Sequence, residues 1–197
     1  FRMTGRIVLV PHTHWDREWY EPFQRFRLRL VDVVDDVIVR ARRDPAFRFT
    51  FDGQTAAVED YLEVRPERRA DIADLSTRGQ FAVGPWRVLL DEFCCSGENI
   101  VRNLQIGHRQ AAALGPVMSV GYLPDMFGHA AQMPQILRRA GFEHACVFRG
   151  VPITVEGHAF RWTAPDGSWV RAEYLIAGYG NVSDLFDDPT DLPARLG

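Results

Sequence analysis

The sequence predicts an α/β fold, either a layered sheet or a barrel of parallel βα units, and two observations predict it. Five short apolar runs of strand length alternate in one pass with stretches whose apolar residues recur at helical spacing. Strands that alternate with helices pair in parallel, because each right-handed crossover returns the chain to the same end of the sheet. In addition, a polar or aromatic functional group follows directly on each strand run, where parallel α/β folds bind their ligands.

The elements follow in order. Residues 6–10 (Arg6-Ile-Val-Leu-Val10) predict a buried strand, and 26–43 the helix after it, with Leu28, Val31, Val34, Ile38 and Ala41 at helical spacing. Residues 47–51 predict a short strand ending in Asp52-Gly53. Helical character resumes over 55–62 and again over 66–78, where Ile72 and Leu75 are the apolar anchors. Residues 80–83 predict a third strand, closed by Gly84-Pro85. Ser96-Gly-Glu-Asn99 opens a helix through Leu114, with Ser96 and Asn99 as candidate caps. Residues 117–123 predict a fourth strand, 132–140 a helix ended by Gly141, and 145–148 a fifth strand. Beyond Arg149 the pattern changes: Phe160-Arg-Trp162 and the run 169–176 flank Pro165-Asp-Gly167 and predict a hairpin. The segment 178–197, rich in Asp, Pro and Gly and without an apolar face, is expected to be a loop leading into further structure.

Composition narrows the function. At 197 residues and 46% hydrophobic content, the chain has material for one substantial core. Its net charge of −3 is small, and acidic and basic residues interleave, so no footprint for nucleic acid or an anionic membrane is expected. All 23 basic residues are arginine, which excludes a lysine Schiff base within this segment. Cys94, Cys95 and Cys146 form neither a metal-binding C-x-x-C pattern nor an even disulfide framework. A reduced, cytoplasmic setting is therefore expected, with no signal peptide and no membrane span of about 18 apolar residues. A homo-oligomer remains open.

The chemistry collects at the predicted strand ends. After the first come His12, His14 and Asp16; after the second, Asp52; after the third, Trp86, Asp91 and Glu92; after the fourth, Asp125, Phe127 and His129; after the fifth, Arg149. Along an extended chain the period of two turns His12, His14 and Asp16 to one side, which outlines a metal site. Asp125 reads either as an N-cap of the following helix or as a metal-bound carboxylate or nucleophile. His129 reads as a ligand, as a partner of one, or as a helix-start residue. Trp15, Trp19, Trp86 and Phe127 could all be core; Trp19 and Phe127 are the candidates for stacking on a sugar face.

These residues together resemble glycoside hydrolase family 38, the class II α-mannosidases, on the bacterial side that includes mannosylglycerate hydrolases. The resemblance is carried by Pro11-His-Thr-His-Trp-Asp-Arg-Glu-Trp19, Phe51-Asp-Gly-Gln54, Gly84-Pro-Trp86 with Asp91-Glu92, Ser96-Gly-Glu98 with Val101-Arg-Asn-Leu104, Gly121-Tyr-Leu-Pro-Asp-Met-Phe-Gly-His129 with Met133-Pro134, and Phe160-Arg-Trp162 with Pro165-Asp-Gly-Ser168. It implies a parallel (β/α)7 barrel-like glycoside hydrolase/deacetylase fold, incomplete here. It also implies a retaining α-mannosidase that hydrolyses terminal α-mannosyl linkages through a glycosyl-Asp intermediate, with one divalent metal ion, zinc being expected.

On that resemblance His14, Asp16 and Asp125 would bind the metal, Asp125 would also be the nucleophile, and Trp19, Phe127 and Arg149 would meet the substrate. His12 and His129 would support, which revises the three-ligand reading of the first segment. The acid/base aspartate and a further histidine ligand would lie beyond residue 197. Residues 1–197 are accordingly expected to be the amino-terminal α/β part of a larger bacterial enzyme, continued by a helical bundle and β-rich domains and weakly active alone. The alternatives are a metal-dependent carbohydrate deacetylase and a non-catalytic sugar-binding fragment.

Overall fold

The structure, a computed structural model, describes residues 8–180 and Ser183. It is a mixed α/β arrangement in the order α1 (Phe23–Arg43), β1 (Phe49–Thr50), α2 (Ala56–Val64), α3 (Arg69–Thr77), β2 (Phe81–Ala82), α4 (Gly97–Ala112), β3 (Val120–Leu123), α5 (Met133–Arg139), β4 (His144–Val147), β5 (Ala159–Thr163) and β6 (Trp169–Tyr174). Short 3-10 turns at Pro66–Arg68 and Glu92–Cys94 complete it.

Each predicted helix forms. Helix α1 starts at Phe23 rather than Phe26, because Pro22 sets the entry and its carbonyl accepts from the N–H groups of Arg25 and Phe26. Its buried stripe is Leu30, Val34, Val37, Ile38 and Ala41, while Leu28 points to solvent at 63% exposed. Arginines 40, 42 and 43 fill its last turn, where the helix dipole favours positive charge. Of the two candidate caps of α4, Ser96 takes the role, its hydroxyl accepting the Asn99 N–H at 3.2 Å.

The sheets are small and open. β1 pairs with β2 in parallel, and a second sheet runs β3-β4-β6-β5. In it β3, β4 and β6 are parallel and β5 pairs antiparallel with β6, so the predicted hairpin is present. Three isolated parallel bridges, His12 with Thr50, Gln54 with Trp86 and Val83 with Val117, extend the ladders. The Val83–Val117 bridge links the two sheets, and the described strands therefore follow one another side by side without closing.

The first predicted strand differs from expectation. Arg6 and Ile7 lie outside the described residues, and Val8, Leu9 and Val10 are not strand and are 64, 44 and 59% exposed. Only Pro11 and His12 join the ladder, the Pro11 carbonyl accepting from the Thr50 N–H at 2.9 Å. A run of this kind is buried when the sheet is covered on both faces and paired on both edges. Here pairing is on the β1 side alone among the described residues.

Two apolar cores result. One packs α1, α2 and α3 against β1 and β2, around Leu30, Tyr61, Phe51 and Phe81. The other packs α4 and α5 against β3, β4 and β6, around Trp86, Leu104, Met133 and Leu137. Helix α4 rides directly on the chain beyond β2: a Cβ at Gly107 would stand 2.1 Å from the Trp86 carbonyl carbon and 2.2 Å from the Arg87 nitrogen. That approach buries Trp86 completely and aims the segment 87–91 at the rim.

Candidate active site

The residues after β2, β3 and β4 meet the segment 14–20 in one pocket of about 620 Å³. His14, Asp16, Trp19, Asp125, Phe127 and Arg149 all line it, together with Tyr20, Asp91 and Tyr179. Two other clefts, of about 550 and 590 Å³, are lined mainly by arginines, histidines and apolar groups and bring no two carboxylates together.

His14 is the centre. Its Nε2 lies 3.4 Å from Asp125 Oδ2 and 3.7 Å from Asp16 Oδ2, and its Nδ1 lies 3.4 Å from Asp52 Oδ1. Neither ring nitrogen makes a well-formed hydrogen bond, so the Asp52 contact is chiefly electrostatic. Burial works against protonating His14, but the carboxylates of Asp52, Asp16 and Asp125 outweigh it and raise its pKa above the ordinary value. Asp16 is raised as well, first by burial and then by the neighbouring negative charges of Asp52 and Asp125, against the pull of His14.

Asp52 holds this arrangement from behind. Its side chain is fully buried, Oδ2 accepts the Trp15 N–H at 2.6 Å, and the same oxygen accepts from Gln54 Nε2 at 2.7 Å. Gln54 Nε2 also donates to the Trp15 carbonyl at 2.8 Å, so the segment bearing His14 and Asp16 is tied to the end of β1 by two hydrogen bonds. Asp52 itself sits at φ +49°, a left-handed conformation that aspartate tolerates better than most side chains.

Asp125 follows β3 and pairs with the Arg149 guanidinium. Helix α5 begins only at Met133, so Asp125 caps no helix. The Arg149 guanidinium also lies over the rings of Phe127 and Phe148, at 5.0 and 5.6 Å. Trp19 and Phe127 are 67 and 70% exposed on the pocket rim, whereas Trp86 is buried and Trp15 packs on the first core, stacked on Phe26 at 4.7 Å. Large exposed aromatics beside carboxylates suit the apolar face of a sugar ring.

His12 does not join the carboxylates. Its Nδ1 lies 3.2 Å from the Thr13 carbonyl and 3.4 Å from the Tyr122 hydroxyl. The alternation expected of a strand breaks after His12, where the ladder stops. His129 lies beside the pocket wall, between Glu92 and the Arg149 carbonyl.

Three residues went unassigned from sequence. Asp52 stood at a strand end, a signal too general to distinguish it from a turn residue. Glu92 was visible as one of two adjacent acids. Tyr179, in the segment expected to be loop, lies against the His14 ring at 4.3 Å and edge-on to Phe148 at 5.9 Å, with nothing in its sequence neighbourhood to mark it.

No three His, Cys, Asp or Glu side chains among the described residues stand as a ready-made metal centre. The donor chemistry nevertheless fits one ion: a buried imidazole nitrogen without a hydrogen-bond partner faces two carboxylate oxygens from different parts of the chain.

Fold and site together define an α/β domain with an acidic, aromatic-rimmed pocket at the ends of its parallel strands. The chain belongs to the glycosyl hydrolases family 38, whose N-terminal domain matches residues 4–189. It is 39% identical over 197 residues to a protein of Halalkalibacterium halodurans named as a presumed mannosylglycerate hydrolase, covering 93% of this chain and 22% of that one. Alpha-mannosidase G of Dictyostelium discoideum is 31% identical over 71% of this chain and 13% of its own length. An alpha-mannosidase structure from Enterococcus faecalis V583 superposes with a TM-score of 0.89 at 35% identity, over 94% of this chain and 22% of that one. A 4-alpha-glucanotransferase structure from Thermococcus litoralis, at TM-score 0.63 and 13% identity, shares the fold. The chain thus spans about a fifth or less of the length of these family relatives. Among the described residues no helix is long and apolar enough to cross a membrane.

Proposed function

We propose that this chain supplies the nucleophile side of the active site of a retaining α-mannosidase acting on terminal α-mannosyl linkages. The carrying observation is Asp125, which faces His14 across 3.4 Å and pairs with Arg149 inside a pocket rimmed by Trp19 and Phe127. Family membership supports the hydrolase reading, and the relatives named for mannosides support the sugar.

Retention requires two carboxyl groups about 5 Å apart on either side of the glycosidic bond. Asp125 attacks the anomeric carbon, its C–O bond forming as the bond to the leaving oxygen breaks. A second carboxyl group, from sequence beyond this chain, protonates that oxygen and then takes a proton from the water that releases the sugar. Arg149 orients the Asp125 carboxylate, and Trp19 and Phe127 offer faces on which the mannose ring stacks.

His14, Asp16 and Asp125 would hold one divalent ion, and a nitrogen and carboxylate set of this kind suits zinc. When bound, the ion would supply Lewis-acid stabilisation to substrate hydroxyl oxygens. Asp52 would orient His14 through its other ring nitrogen, as carboxylates commonly do for ligating histidines. We also propose that the row of parallel strands closes into a (β/α)7 barrel with later sequence, and that the three free cysteines reflect a cytoplasmic setting.

The test uses the full-length protein with a fluorinated mannosyl fluoride, followed by peptide mass spectrometry. The expected result is a mannosyl adduct on Asp125 together with turnover of an aryl α-mannoside that chelator abolishes and zinc restores. Release of acetate from an acetylated sugar with no adduct would instead establish a deacetylase. Metal-dependent mannose binding without either reaction would establish a binding module.

A further inference from the structure

Glu92 is a buried charge that the chemistry above leaves unused. Its side chain is 0% exposed and both of its oxygens are committed. Oε1 lies 2.7 Å from Nδ1 of His129, and Oε2 accepts the Ala130 N–H at 2.6 Å. The other ring nitrogen of His129, Nε2, lies 2.9 Å from the carbonyl oxygen of Arg149. A carbonyl oxygen can only accept, so Nε2 carries the hydrogen and donates it. Trp162 holds the ring from the side, edge-on at 4.9 Å.

The backbone on the far side is shaped to this contact. Gly150 follows Arg149 at φ +77°, and a Cβ there would stand 2.8 Å from His129 Cδ2 and 2.9 Å from the Gly128 Cα. Only glycine lets the chain pass the imidazole so closely. Arg149 is therefore fixed at its carbonyl by His129, and its N–H is directed at the Pro124 carbonyl, 3.4 Å away. Its guanidinium, 42% exposed, reaches Asp125 from that anchored backbone. An ion pair this open to solvent does little to hold a long side chain in one place; the rings of Phe127 and Phe148 flank the guanidinium, and the anchor sets the backbone from which it reaches them and Asp125.

We infer that Glu92 and His129 are a positioning pair for Arg149: the buried carboxylate orients the imidazole, and the imidazole fixes the carbonyl from which the guanidinium meets Asp125. The inference rests on the mannosidase reading only for its kinetic arm.

Two substitutions of one residue separate the halves of the device. The amide nitrogen of glutamine stands where Nε2 stands, so His129→Gln can still donate to the Arg149 carbonyl. That of asparagine stands where Nδ1 stands, so His129→Asn keeps the Glu92 contact and loses Arg149. In crystal structures of the full-length protein, His129→Asn is expected to shift the Arg149 guanidinium off Asp125 and His129→Gln to leave it in place. With an aryl α-mannoside, kcat should fall about 10- to 100-fold in His129→Asn and stay within about threefold of native in His129→Gln, with KM within about threefold in both. Arg149 unmoved in His129→Asn, or equal kcat losses in the two variants with Arg149 in place, overturns the inference. Absence of mannoside turnover by the native protein defeats the mannosidase reading instead, and the crystallographic arm then decides the positioning alone.

Discussion

Asp52 and His14, 38 positions apart in the chain, face each other across 3.4 Å, with the aspartate wholly buried and the imidazole turned so that its opposite nitrogen looks at Asp16 and Asp125. The same carboxylate also accepts the Trp15 N–H, so one buried group touches both the backbone of the segment and its histidine.

Removing that carboxylate should loosen both. Asp52→Ala leaves the Trp15 N–H and one amide hydrogen of Gln54 short of a partner, a loss of about 1–3 kcal/mol for buried groups of this kind. At the metal site proposed above, the more conservative Asp52→Asn should weaken zinc binding by about 10- to 100-fold. Metal titration of the full-length protein reads the second effect and its thermal unfolding midpoint the first; an unchanged zinc affinity in Asp52→Asn would defeat the orienting role.

Asp125→Asn should abolish hydrolysis, with kcat down by about 10⁴-fold or more, and should eliminate the mannosyl adduct. Loss of Arg149 as a partner makes this a demanding comparison, so circular dichroism should accompany it. An Asn variant that still accumulates a covalent sugar would place the nucleophile elsewhere.

Helix α4 should not tolerate a side chain at Gly107. Alanine is the better helix former by about 1 kcal/mol, yet its Cβ would meet the backbone of Trp86 and Arg87 at 2.1–2.2 Å, and overpacking costs about 1–3 kcal/mol. Gly107→Ala is therefore expected to lower the unfolding midpoint of the full-length protein. A raised midpoint would show that the close approach is relieved without strain.

The three thiols should differ in reactivity. Burial, and after it the charge of Glu173, pushes the Cys146 thiol up to about 12, while Cys94 is exposed. Because the thiolate is the reactive form, Cys146 stays protonated at pH 8 and gains reactivity only as the pH rises towards 12 or the protein unfolds. Labelling at pH 8 with an uncharged thiol reagent should modify Cys94 first and spare Cys146; equal rates would contradict this environment.

Much of the site was legible because its groups follow strands whose signals are local. The run 47–51 could be read from alternating phenylalanines, and the 3.6-residue period of α1 from its valines. The boundaries moved where a neighbour intervened, as Pro22 did. Leu28 shows the limit of periodicity: it fits an apolar stripe one turn early, where no other element among the described residues lies over it.

His12, His14 and Asp16 show the same limit at the site. Alternation predicts three groups on one side, but it holds only while the chain is a strand, and the ladder ends at His12. The two groups beyond it are aimed by Asp52, Gln54 and Tyr179, none of which is near them in sequence.

From the sequence alone came the βα alternation, the hairpin, the family, and the recurrence of carboxylates, imidazoles and aromatics at strand ends, since each is encoded by period, turn chemistry or motif over a few residues. Only the tertiary structure decided which of those groups meet. Contacts such as His14 with Asp125, Tyr179 with His14, and Glu92 through His129 to Arg149 join residues 20 to 165 positions apart. They arise because parallel strands stack their carboxyl ends side by side, and no local pattern along the chain records that proximity.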